Sequence, residues 1–108
     1  MIVYNVTINI DESIHHDWLE WMQKHHIPDV MRTGMFIKNS MFKVVSEEEQ
    51  NGHTYSIQYT CKSNEMLRSY QETFAPALQA EHTERYKNRF VAFRSVLELL
   101  AETEMDSI

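Results

Sequence analysis

The chain has 108 residues, 43% of them apolar and 24% charged, and carries a net charge of −6 with histidine neutral. That size favours one domain with one core, and the acidic balance argues against nucleic acid or an anionic membrane as a partner, since both need a basic surface. The single cysteine, Cys61, excludes an internal disulfide and fits a reducing cytoplasm, and the only glycines, Gly34 and Gly52, are too few for a phosphate-cradling loop.

In IVYNVTINI (2–10), Ile2, Tyr4, Val6, Ile8 and Ile10 share one face and Val3, Asn5, Thr7 and Asn9 the other, the period of a strand. This stretch lacks the basic start and continuous apolar run of a signal peptide, and no run in the chain approaches the roughly 18 apolar residues of a membrane span. A first helix is expected over about 13–26, with Ser13 as N-cap, acidic Asp11, Glu12 and Asp17 at its start, and Ile14, Trp18, Trp21, Met22 and His25 as its apolar stripe. Pro28 disfavours a helical conformation at Ile27, so PDVMRT restarts a helical turn with Pro28 first and Gly34 as its C-cap. MFIKNSMFKVV (35–45) reads as a second strand, SEEEQNGH as a charged hairpin with Asn51–Gly52 its tight turn, and HTYSIQYTC (53–61) as a cleanly alternating third strand. Ser63 caps a second helix running to about Asn88, with Leu67, Tyr70, Phe74 and Leu78 as its stripe. Pro76 kinks or divides it, because proline cannot bond back to the carbonyl of Glu72. RFVAFRSVLELL (89–100) is a fourth strand, and AETEMDSI (101–108) is expected to be a disordered acidic tail beyond a single domain spanning 1–100.

The order β-α-β-β-α-β predicts an α+β, ferredoxin-like fold, a four-stranded antiparallel sheet with both helices on one face. The uncovered face should be polar if it meets water. The third strand obeys, but the second carries Met35, Ile37, Met41 and Val45 against Phe36, Phe42 and Val44, and the fourth carries Val91, Phe93, Leu97 and Leu99 against Phe90, Ala92 and Val96. Both faces are then buried, and a second copy supplies the cover. A homodimer packed through the open face of the sheet, a dimeric α/β barrel, is expected.

The candidate site rests on histidines. His15 and His16 fall in the first turns of helix one and His53 in the hairpin, and none of the three requires a function. His25 lies in the apolar stripe and His26 beside it. On the second helix, Glu81 and His82 continue the line of Leu67, Phe74 and Leu78 if the helix resumes in register after Pro76. His25, His26, Glu81 and His82, with Tyr55 and Tyr59 as aromatic walls, are therefore the ligand-binding candidates. Two readings stand: an imidazole that bonds a carbonyl freed by Pro28, or a small pocket of imidazole and carboxylate able to bind a ligand or move a proton. No HExxH or zinc-spaced Cys/His pattern points to a metal, and no cofactor or catalytic residue is assigned. Arg94 interrupts an apolar strand and either pairs across the dimer or binds an anion.

The blocks MIVYNVTINID, HIPDVMRTG, YSIQYTC and APALQAEHTERY…FVAFRSVLE resemble a family of short bacterial proteins that carry only a domain of unknown function, over about residues 1–100. More distantly, the architecture resembles the dimeric α/β-barrel superfamily, which includes cofactor-independent antibiotic-biosynthesis monooxygenases, haem-degrading enzymes, lactone isomerases, stress-responsive barrel proteins and EthD-like proteins. HIP after helix one is similar to the His-x-Pro element of the EthD-like members. The haem-degrading members use an asparagine, a histidine and a tryptophan; Asn5, His82 and Trp18 or Trp21 supply those residue types here without a residue-by-residue match. The resemblance implies paired sheets and a pocket between sheet and helices; with the two-faced strands and the lone cysteine, the expectation is a cytoplasmic homodimer that binds a small molecule. The alternatives are a non-catalytic structural or regulatory module, and a monooxygenase or isomerase needing an apolar cavity of roughly 300 Å3 or more.

Overall fold

Strand β1 (Ile2–Ile10) runs through the middle of a four-stranded sheet of order β2-β3-β1-β4, flanked by β3 (His53–Cys61) and β4 (Phe90–Glu98), with β2 (Lys38–Lys43) outside β3. Every neighbouring pair is antiparallel. The computed structural model describes residues 1–45 and 51–106; Ser46 to Gln50 of the expected hairpin and the last two residues of the expected tail lie outside them. No helix among the described residues is long and apolar enough to cross a membrane. The fold is α+β and ferredoxin-like, as the element order requires, with all helices on one face.

Alternation along β1 sets the layers. Ile2, Tyr4, Ile8 and Ile10 are buried under the helices, and the register Tyr4↔Tyr59 and Val6↔Ile57 brings the alternate residues of β3 to the same face. Trp18 and Trp21, Met22 and Val30, Leu67 and Tyr70 close the core from above. The second helical segment divides where proline demands it: α3 (Asn64–Thr73) ends at Phe74, and α4 (Ala75–Arg85) starts with Pro76 in its first turn. Ser63 caps α3, its hydroxyl accepting from the Met66 N–H at 3.2 Å.

The first helical segment departs from expectation in two ways. Asp11, not Ser13, caps it: Asp11 Oδ1 accepts from the Ser13 N–H at 2.8 Å and from the Ser13 hydroxyl at 2.7 Å, ahead of a short 3-10 turn. The helix also does not end at His26. α1 (His15–Trp21) passes through a π turn, Met22–His26, directly into α2 (Ile27–Arg32), and Ile27 is helical, its N–H reaching the Met22 carbonyl five residues back. The wider turn accommodates Pro28, which brings no N–H, without breaking the helix. Gly34 then terminates α2 with φ of 77°, as a C-cap glycine should.

The second strand is shorter than the pattern suggested. Residues 35–37 bend before the ladder begins, so strand parity does not extend through them, and Phe36 turns into the core against Tyr59 at 5.2 Å and Tyr70 at 4.7 Å between ring centroids. Phe36 therefore does not join Phe42 and Val44 on the open face. That face has a polar centre and apolar flanks. Ser56 Oγ donates to Asn5 Oδ1 at 2.6 Å, and Asn5 Nδ2 donates to Thr7 Oγ1 at 3.0 Å and Ser95 Oγ at 3.3 Å. Around it Phe42, Val91, Phe93, Leu97 and Leu99 are exposed on the single chain.

Candidate functional site

Between the sheet and the helices lies a cavity of about 50 Å3 whose walls include Val6, Ile8, Met22, Ile57, Phe90 and Ala92, with His26, His82, Tyr4, Tyr59, Gln79 and Arg94 among its polar groups. The volume falls short of the roughly 300 Å3 at the lower end for ordinary ligand pockets, the size that a polycyclic substrate would require. Its mouth is at Thr83 and Arg94, which are exposed, whereas His82, Tyr4 and Tyr59 are buried.

The π turn explains which histidine points inward. Each residue of a π turn advances less around the axis than in an α-helix, so the phase slips across Met22–His26. His25 is left facing solvent, while His26 lines the cavity. Its ring stacks on Trp21 at 5.2 Å and meets His82 edge-on at 5.8 Å between centroids. Nδ1 of His26 is buried without a hydrogen-bond partner among the described residues. The imidazole therefore bonds no carbonyl through that atom.

His82 projects from the last turn of α4, and the Trp18 indole Nε1–H donates to its Nε2 at 2.9 Å. An indole nitrogen only donates, so Nε2 is bare and the hydrogen of the neutral ring sits on Nδ1. Burial pushes the pKa of His82 down to about 4, with the neighbouring His26 and Arg94 adding to the shift. Burial likewise pushes His26 down to about 4, opposed by the Asp29 carboxylate and reinforced by Arg94. At neutral pH both rings are uncharged.

Arg94 reaches this face because β4 pairs with β1 in the register Val6↔Arg94. Burial raises the pKa of the Tyr4 hydroxyl, the nearby Arg94 charge only partly offsets that, and Gln79 Nε2 donates to the same hydroxyl at 3.5 Å. Burial raises the pKa of Tyr59 and Tyr70, so both phenols are protonated.

Of the expected residues, His26, His82 and Tyr59 converge. His25 and Glu81 do not: both are exposed on the outer surface of the helices, so Glu81 brings no carboxylate to the cavity. Tyr55 belongs elsewhere. Its hydroxyl bonds His15 Nε2 at 2.6 Å, and the His15 ring stacks on His53 at 3.6 Å, with His53 paired to Glu12. Burial is the main reason that the His15 pKa is lowered, and the His53 ring adds to it. Asn5 sits on the opposite face of the sheet from His82, so the asparagine–histidine–tryptophan set does not assemble. No group of three or more His, Cys, Asp or Glu close enough to hold a metal ion occurs among the described residues.

Known proteins agree with the fold. The chain is similar to HapK from Hahella chejuensis, with 11% identity, a TM-score of 0.70 and coverage of 99% of this chain and 100% of that one. It is similar to a dimeric ferredoxin-like protein from an uncultured marine organism, with 15% identity, a TM-score of 0.71 and coverage of 97% and 100%. A mutant of MhuD with two manganese protoporphyrin IX bound per active site matches at 18% identity and a TM-score of 0.69, over 97% of this chain and 100% of that one. At these identities the likeness speaks for the fold alone. No curated protein matches the chain. Over residues 1–100 the sequence matches the family described as a domain of unknown function, DUF4286, and the chain belongs to that family.

Proposed function

We propose that the protein is a homodimer that binds a small molecule in the cavity between its sheet and helices, with His26 and His82 as the central polar contacts. One observation carries this reading: Nδ1 of His26, a residue that lines the cavity, is buried with no partner among the described residues. Leaving such an atom unsatisfied costs about 1–3 kcal/mol, and folded proteins seldom retain one without a use. A ligand that hydrogen-bonds His26 recovers that cost. The competing reading, in which the histidines only finish helix ends, is not favoured by rings that contact Trp18, Trp21, Tyr86, Phe90 and each other.

The open face supports dimerisation. Phe42 and Phe93 leave 52% and 63% of their surface exposed on the single chain, and such large apolar side chains rim partner surfaces more often than they face water. The polar centre satisfies itself through Asn5, Ser56 and Ser95, so a second sheet can cover it without stranding those groups. Similar structures described as dimeric point the same way.

The test has two parts. Sedimentation velocity is expected to give a dimer. A thermal-shift screen of small metabolites is expected to yield a stabilising compound whose binding is lost in His26→Ala and His82→Ala, while both variants remain dimeric. Normal binding of a verified ligand by both variants would refute the site.

A further inference from the structure

We infer that the ligand is a small organic monoanion, a carboxylate on a short aliphatic tail, held with its carboxylate shared between Arg94 and the Nδ1–H of His26 and its tail against the apolar floor. The inference rests on the binding reading above and adds the ligand's charge, polarity and orientation.

Charge comes first. The chain is acidic overall, with a net charge of −6, yet among the described residues lining this cavity there is no carboxylate and Arg94 is the one permanently charged group. Arg94 makes no ion pair with a carboxylate among the described residues. A guanidinium that faces a cavity without an internal counter-ion suits a carboxylate from outside, through charge-assisted and often paired hydrogen bonds. A cation would meet Arg94 with nothing to offset the repulsion.

The hydrogen-bonding set has the same bias. At the mouth, Arg94 presents only donors, and Tyr4 and Gln79 add a hydroxyl and an amide N–H whose present acceptor is that hydroxyl. A ligand head that accepts several bonds fits this set, and one that chiefly donates does not. Both imidazoles are uncharged at neutral pH, so the positive charge is localised at the mouth and is not spread through the cavity. Val6, Ile8, Met22, Ile57 and Ala92 form a floor that offers no hydrogen bonds from side chains. A volume of about 50 Å3 restricts the buried part to a short tail.

The experiment is an NMR titration of the intact protein with sodium butyrate, butyramide and butylamine at constant ionic strength, following the ring signals of His26 and His82 and the side-chain signal of Arg94. Butyrate is expected to shift all three saturably and to bind at least about tenfold more tightly than butyramide, the scale of one added charge-assisted contact. Butylamine is expected not to bind. Arg94→Gln should bring butyrate affinity down to about that of the amide for the wild type; signal dispersion of that variant checks that it folds. If the amide or the amine binds as tightly as butyrate, or if Arg94→Gln binds butyrate normally, the anion assignment falls while the cavity remains a binding site. If no probe moves His26 or His82 at tens of millimolar, the binding reading falls and takes the assignment with it.

Discussion

Acid should destabilise this protein through the two cavity imidazoles, and His26 can be isolated from the other titrating groups. An imidazole has an ordinary pKa of 6.5, and burial holds His26 at about 4 in the folded chain. Between those values the unfolded state binds the proton that the folded state refuses, so stability falls as pH falls. The contribution is fully present above about 6.5 and is lost on the way down to about 4. Lowering the pH from about 7 to about 4.5 removes on the order of 2 kcal/mol for one such ring, at roughly 1.4 kcal/mol per pKa unit. Carboxylates titrate over part of this range as well, so the wild-type loss alone proves nothing. The comparison is with His26→Leu, measured by urea denaturation at both pH values and one protein concentration. His26→Leu should lose less stability than wild type by on the order of 2 kcal/mol. The His26 ring also lowers the His82 pKa, so its removal relaxes His82 and widens the difference. Equal losses in the two proteins would mean that His26 is not held neutral by its site.

Trp18→Phe removes the donor to His82 Nε2, a bond that only the unprotonated nitrogen accepts. The His82 pKa should rise by about half a unit to one unit, the worth of one hydrogen bond, in an NMR titration, and an unchanged value would refute the tautomer assigned here. Gly52 has φ of 83°, and a Cβ there would lie 2.3 Å from the Ile10 carbonyl oxygen. Gly52→Ala should therefore cost about 3 kcal/mol in denaturant unfolding, from strain and a backbone clash together. Phe93→Glu places a charge on the flank of the open face and should give a folded monomer by sedimentation and circular dichroism; a dimer that persists would move the interface elsewhere.

The fold was legible because its signals are local. Alternation in residues 2–10 and 53–61, the cap at Ser63 and the proline at 76 each act within a few residues, and each appears where it was expected. The site was half legible. His82 follows from helical phase, which resumes after Pro76, but His25 and His26 exchange roles because a π turn leaves no mark in a periodicity count. Arg94 stands out in sequence as a charge in an apolar strand, yet what it faces is set by its pairing with Val6, far away in the chain. The stack of His15 on His53 escaped notice for the same reason: β1–β3 pairing places His53 beside Ile10, next to the start of α1. Glu81 failed because a residue bordering an apolar stripe has solvent as its other neighbour.

The chain has two tryptophans, and both touch the cavity histidines: Trp18 by its indole hydrogen bond to His82, Trp21 by stacking on His26 and by its contact with His82. Imidazolium quenches excited indole by accepting an electron, and neutral imidazole does so far less. All of the protein's tryptophan emission therefore originates beside the groups that titrate or meet a ligand. An unlabelled sample in a fluorimeter reports protonation or occupancy of the cavity directly, with no background from indoles elsewhere in the chain.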